Sequence, residues 1–384
     1  MKCPAFLNHK KIFTTLLTSI SSCYGKFNYS NLSRFSGLDE KTFRRWFKTP
    51  LDFITLNQLG NQSVIAENTC VVAALDCSFI NKSGHKTYGL GKYWDGKQGK
   101  AERGLEIATL AIVDVDYKTA YHVSTQQTPP DCGNHETRIH AYVRHFKADC
   151  WALPKQTRYV TTDAYYTKSL ITEAILDKGF HQIGKLRQDA NLRYFYQGVQ
   201  KAKGRPRQYD GKFKLGDIER LSFVAHQAGV DIYTAVVHCV NLKRAIRLVY
   251  LERKRAKETK RALLFSTDTA LDALNLYRYY QARFQIEFLF RDAKQFTGLC
   301  DCQARSEQAL HNHFNASFTA LNVLKWQDRQ ISSHRNPISI ASWKRRCFNM
   351  LFMERIFSNS AFDLSFIKST PDYRELCNFG EIKY

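Results

Sequence analysis

The sequence predicts a mixed α/β (α+β) fold, a sheet flanked by helices, and three observations carry that expectation. Apolar residues make up 44% of the 384 positions and aromatic ones 13%, enough for a substantial core. Near residue 68 the apolar period changes from helical spacing to short alternating or wholly apolar runs. Beyond that point strand-like and helix-like segments interleave, as they do when helices cover a sheet.

Residues 1–65 read as helical. In "MKCPAFLNHKKIFTTLLTSISSCYG", Ile12, Phe13, Leu16, Leu17 and Ile20 fall at helical spacing with Thr and Ser between them. This predicts an amphipathic helix rather than an export segment, although "ISSC" resembles a lipoprotein cleavage box. Residues 30–47 predict a helix-turn-helix. Gly37 makes the turn, Asp39 caps the second helix, Leu38, Phe43 and Phe47 form its apolar stripe, and Lys41, Arg44 and Arg45 stay outside. Such a basic helix suits a DNA major groove; the alternative is an ordinary helical hairpin with a solvated basic face.

Residues 66–194 read as the first part of a core. "TCVVAALDCSFI" is a short apolar strand ending in Asp76, and "LEIATLAIVDVDYKTAYHVST" is two strands joined by a turn at Asp116–Lys118. Then come a helix "NHETRIHAYVRHFKAD", a strand "TRYVTTDAYY" carrying Asp163, a helix "KSLITEAILDKGF" and a strand "HQIGKLRQD". Three strands in a meander, then helix, strand, helix, strand, is the order of a ribonuclease-H-like core, with first and fourth strands side by side. That adjacency would bring together Asp76 and Asp163, far apart in the chain. Residues 195–260 read as an all-β insertion, with alternating runs such as "VDIYTAVVHCV" and a basic run "ERKRAKETKR". Residues 261–330 return to the core, and 331–384 form a helical C-terminal region available for dimerisation.

Charge narrows the partner. Against 35 acidic residues stand 57 Lys and Arg, a net of +22. Such an excess suits nucleic acid. The cations are spread along the chain and not gathered on one amphipathic helix, and no run approaches the ~18 apolar residues of a membrane span. No membrane partner is therefore expected. Eleven cysteines include no C-x-x-C pair, and only Cys300 and Cys302 lie close in sequence. They predict reduced, structural thiols in a cytoplasmic protein.

One carboxylate stands out. In "YYQARFQIEFLFRDAKQFTGL", Glu287 sits among Ile286, Phe288, Leu289 and Phe290, and an unpaired buried carboxylate is costly. Phased as one helix, Tyr280, Arg283, Glu287, Arg291 and Lys294 share roughly 80° of arc beside the apolar face. Surface ion pairs at i, i+4 would explain the charges. The spacing Y-x2-R-x3-E-x6-K is more specific than that.

This signature, with one aspartate after an early strand and another after a later one, resembles the DDE transposases of the insertion-sequence-four family. "DCSFINKSGHKTYGLGKYWDG", "DANLRYFYQG", "KGRPRQYDGK" and "TGLCDCQARSEQALHNHFNASFTALN" also resemble blocks of that family, and the likeness spans about residues 68–325. It implies that Asp76, Asp163 and Glu287 are the catalytic, metal-binding carboxylates of a ribonuclease-H-like fold with a β insertion. It implies cut-and-paste transposition by a homodimer on double-stranded DNA, both transposon terminal inverted repeats and target, in a bacterial-type cytoplasm at the nucleoid.

The chemistry expected there is phosphodiester hydrolysis and strand transfer of the freed 3′-hydroxyl. It calls for two Mg²⁺ ions, with Mn²⁺ as a substitute, roughly 3.5–4 Å apart. Asp76 is assigned as the bridging ligand, Asp163 and Glu287 as completing one site each, Arg283 and Lys294 as phosphate clamps, and Tyr280 as a phosphate hydrogen-bond donor. Similar transposases hold a flipped base on an aromatic residue of the insertion. No tryptophan falls in residues 195–260, leaving Tyr194, Tyr196, Phe223 or Tyr233 to serve. Arg205, in "KGRPR", is a candidate minor-groove contact. A DNA-binding protein with an inactive core, or a nuclease without strand transfer, are the rival functions.

Overall fold

A run of five buried residues, Val71–Leu75, begins the first strand, as a strand covered on both faces requires. The computed structural model describes residues 4–96, 98–131, 133, 136–254, 258–331, 338–358 and 363–382. Residues 1–3 of the first helical segment and 255–257 of the basic run lie outside them. Ahead of that strand come four helices, α1 (Pro4–Ser22), α2 (Tyr29–Ser36), α3 (Glu40–Trp46) and α4 (Phe53–Val64). Phe13, Leu16, Leu17 and Ile20 of α1 are buried against Phe43 and Phe47, as the spacing predicts. Gly37 ends α2 at φ 72°, a left-handed conformation favouring glycine, and Asp39 caps α3 through the Lys41 N–H.

The core follows as β1 (Val71–Asn81), β2 (Gly91–Asp95), β3 (Lys100–Asp114), β4 (Thr119–Gln127), α5 (Arg138–Asp149), β5 (Tyr159–Thr162), α6 (Ser169–Asp177) and β6 (His181–Leu186). β1 pairs antiparallel with β3 and parallel with β5, at Ala73↔Val160, Ala74↔Thr161 and Leu75↔Thr162. First and fourth strands of the expected order are thus neighbours. The short strand β2, which pairs with the start of β3, was not anticipated: "GKYWD" is too short and too polar to announce itself.

Six further strands are β7 (Leu192–Phe195), β8 (Tyr209–Lys212), β9 (Ser222–Gln227), β10 (Val230–Cys239), β11 (Arg244–Lys254) and β12 (Thr259–Ser266). They overrun residues 195–260 at both ends and do not form a separate sheet. β12 pairs with β6, so core and insertion strands share a 12-stranded sheet among the described residues. Helices α7 (Ala273–Ala282), α8 (Gln285–Phe296), α9 (Glu307–Ile331), α10 (Ile340–Ser358), α11 (Leu364–Ser369) and α12 (Pro371–Cys377) complete the chain. One face of the core strands is covered by α8, α9 and α10 through Leu289, Phe314, Phe318 and Trp343; the other is covered by α5 and α6 through Tyr142, Phe146 and Ile175. No described helix is long and apolar enough to cross a membrane.

The edge strand β4 is sealed by side chains of α9. Asn322 accepts from the His122 N–H (2.9 Å) and donates to its carbonyl (2.8 Å); Asn315 does the same for Thr125 at 3.0 and 2.9 Å. Lys325 donates to the Ala120 carbonyl at 2.6 Å. These buried amides replace a missing neighbour strand, which explains the asparagines in a helix otherwise buried along most of its length. Replacing Asn322 by Leu would leave the His122 N–H buried without that acceptor. The expected loss is about 1–3 kcal/mol, read as a lowered thermal midpoint, with Asn322→Gln intermediate.

Candidate active site

The parallel register sets the site. Asp76 and Asp163 each lie one residue past the last β1–β5 pair, Leu75↔Thr162. The side-chain hydroxyl of Thr161 donates to the Ala73 carbonyl at 2.8 Å and reinforces that pairing. Asp163 caps a short 3-10 turn, accepting from the Tyr165 and Tyr166 N–H groups at 2.9 and 3.3 Å. Asp76 accepts from the Cys77 N–H at 2.8 Å. Both aspartates line one cavity of about 760 Å³.

Glu287 arrives from the other side of the sequence. Ile286 and Leu289 of α8 are fully buried, each worth about 1.5–3 kcal/mol, and their burial fixes the rotation of the helix. Glu287 is left at the border with its side chain 42% exposed. The expected single helix is interrupted at Arg283–Phe284, where Phe284, Ile286 and Glu287 bond three residues back instead of four. Such tightening within a helical run is common near functional sites. It breaks the uniform phase assumed for the five-residue stripe. Arg291 pairs with Asp292 and lines a different cavity beside Lys325 and Arg329, whereas Lys294 lines the cavity of the aspartates.

Arg283 joins the carboxylates. Its Nη1 lies 3.1 Å from Asp76 Oδ2 and its Nη2 2.8 Å from Glu287 Oε1, with the guanidinium also 5.7 Å from the Tyr280 ring. Burial opposes its charge, but Asp76, Tyr280 and Glu287 together raise its pKa. Burial likewise pushes the Asp76 carboxyl up to about 7; Arg283 works against this, while Asp163 and Glu287 add to it. Two carboxylates share one guanidinium and Asp163 adds a third negative charge near Asp76, so a raised Asp76 is the direction the charge balance supports. Among the described residues, no group of three or more His, Cys, Asp or Glu side chains stands ready to hold one ion. Carboxylate oxygens are the donors a hard divalent cation takes, and Arg283 already draws two of these side chains, Asp76 and Glu287, to one positive group.

The remaining expected residues divide. Lys294 donates to Ser78 Oγ (2.8 Å) and the Phe79 carbonyl (3.0 Å), so it secures β1 beside Asp76. Tyr280 is half-buried against Arg283. Arg44 lies outside this cavity, as do exposed Lys41, Arg45 and Arg205. None of Tyr194, Tyr196, Phe223 or Tyr233 lines it either. Trp94, on β2 and 64% exposed, does. Glu106 also lines it, accepting from Tyr142 at 2.5 Å and Arg138 at 2.9 Å. Both were missed, although Glu106 sits in an apolar run, "LEIATL", the same signal that drew attention to Glu287.

A family model, the transposase DDE domain, matches residues 71–323. No curated protein matches the chain. Among solved structures, the cryo-EM structure of a piggyBac transposase synaptic complex with hairpin DNA is similar at a TM-score of 0.44 and 13% identity, over 98% of this chain and 78% of that one.

Because the folded chain holds a proton on Asp76 up to about pH 7 and the unfolded chain releases it near the ordinary carboxyl value of 3.8, stability falls as pH rises through that window. Asp76→Asn removes this loss while Arg283 keeps Glu287. In chelator, the variant should melt about 2–4 °C above wild type at about pH 8 and gain less at about pH 5. Equal gains at both would contradict a raised Asp76.

Proposed function

The chain belongs to the transposase DDE-domain family, and on that premise we propose that it cuts DNA at transposon ends and joins the freed 3′-hydroxyl to target DNA. The observation that carries this reading is that β1–β5 pairing sets Asp76 beside Asp163 while Arg283 joins Asp76 to Glu287. We place the chain in the insertion-sequence-four branch on its Y-x2-R-x3-E-x6-K spacing.

Asp76, Asp163 and Glu287 would hold divalent ions, Mg²⁺ or Mn²⁺, whose chemistry is to polarise the phosphodiester and render water nucleophilic. The chain's own residues do the rest. β1 and β5 hold the two aspartates in register. Arg283 balances Asp76 and Glu287 before DNA arrives and places a guanidinium where a phosphate must be met. Lys294 fixes β1, and Tyr280 backs Arg283. Residues 1–65 and the insertion are proposed to bind DNA, and a homodimer would bring two ends together.

The test is supercoiled plasmid, and then a labelled end with a second DNA, incubated with protein and Mg²⁺ or with EDTA. Mg²⁺-dependent cleavage and joining are expected, with Asp76→Asn, Asp163→Asn and Glu287→Gln each slower by on the order of a hundred- to a thousandfold while still binding DNA. Mg²⁺ should also raise the wild-type melting temperature more than that of Glu287→Gln. Binding without cleavage would make the chain a DNA-binding protein with an inactive core; cleavage without joining would make it a nuclease.

A further inference from the structure

A second, larger groove of about 910 Å³ adjoins the candidate active site, sharing Asn81 and Cys300 with its cavity. Five cations line it: Lys26 ahead of α2, Arg44 on α3, Lys48 after it, Lys82 just beyond β1 and Arg305 ahead of α9. They come from separate segments, so the groove exists only in the folded chain. Asp301 is the acid in its wall, and its Oδ2 accepts from the Phe27 N–H at 2.8 Å, fastening the loop after α8 to the N-terminal helices. Arg44 is steered by Glu40, which accepts from its Nε at 2.8 Å, and stands 5.3 Å from the centre of the Tyr29 ring. Lys82 donates to the Cys302 carbonyl. Lys26, Arg44, Lys48 and Arg305 are exposed.

Cations from several segments along one trench match a repeating anion better than a small one, which needs donors converging at a single point. We infer that this groove carries the phosphate backbone of the DNA whose cleaved end lies at Asp76, Asp163 and Glu287. α3 and the turn after it then serve as one wall of a track, presenting Arg44 and Lys48 to phosphates, and Lys41 and Arg45 lie outside the track. The inference rests on the transposase reading above and adds to it the path of the duplex and the residues that hold it.

The test uses the full chain and a fluorescent duplex a few helical turns long, with affinity followed by anisotropy as salt rises from about 0.05 to about 0.2 M. Each phosphate contact contributes about 0.9 to the slope of log affinity against log salt. The combined variant Lys26→Ala, Lys48→Ala, Arg305→Ala should lose between two and three units of slope and bind at least about tenfold more weakly. A control variant removes three exposed cations lining neither cavity, Lys147→Ala, Lys155→Ala and Lys178→Ala, and should change the slope little. Should the triple variant melt early, Lys48→Ala and Arg305→Ala singly, each worth about one unit, decide the matter.

A groove variant matching the control overturns the inference, as does wild-type binding with no salt dependence. Plasmid cleavage separates the two readings. Wild-type cleavage with an unchanged slope in the groove variant removes the groove and spares the enzyme. A lost slope with no cleavage by wild type does the reverse.

Discussion

Three parallel residue pairs between β1 and β5 govern the rest of the site. A parallel pairing needs a crossover, and here β2, β3, β4 and α5 intervene before the chain returns beside β1. The geometry then leaves no freedom at the ends: residues following the last pair are adjacent, and both are aspartate. Slipping the register by one would turn Asp76 to the opposite face of the sheet. The Thr161 hydroxyl on the Ala73 carbonyl is specific to this register and opposes such a slip.

Charge imposes the second constraint. Like charges gathered in a partly buried place favour protonation unless something positive joins them. Arg283 supplies a guanidinium bridging Asp76 and Glu287, from the break between α7 and α8, where an uninterrupted helix would have carried it in uniform phase. The interruption and the ion pairs belong together. A residue that must reach across from α7 to a strand is well served by a local change of helical pitch.

Much of this was legible in the chain and some was not, for physical reasons. Period and connection length speak for local elements, so α1, the Gly37 turn, the Asp39 cap and the order of β1, β3, β4, α5, β5, α6 and β6 could be read directly. The adjacency of Asp76 and Asp163 followed from that order. Side chains delivered by distant pairing could not be read this way. Trp94 reaches the cavity because β2 adds to the edge of β3, and Lys294 meets Ser78 only once α8 docks on β1. The break at Arg283 escaped because a single angle per residue presumes a regular helix. Nor does composition tell that insertion strands will extend the core sheet through β6 and β12, since the same alternation serves a separate sheet.

The asparagines of α9 have a consequence for how copies of this molecule can meet. With the outer backbone of β4 already answered at His122 by Asn322, at Thr125 by Asn315 and at the Ala120 carbonyl by Lys325, an incoming strand finds those donors and acceptors taken. Templated growth of the sheet is blocked along that border. Copies crowded together would have to associate through side chains on that flank, an arrangement that keeps proximity from turning into fibres.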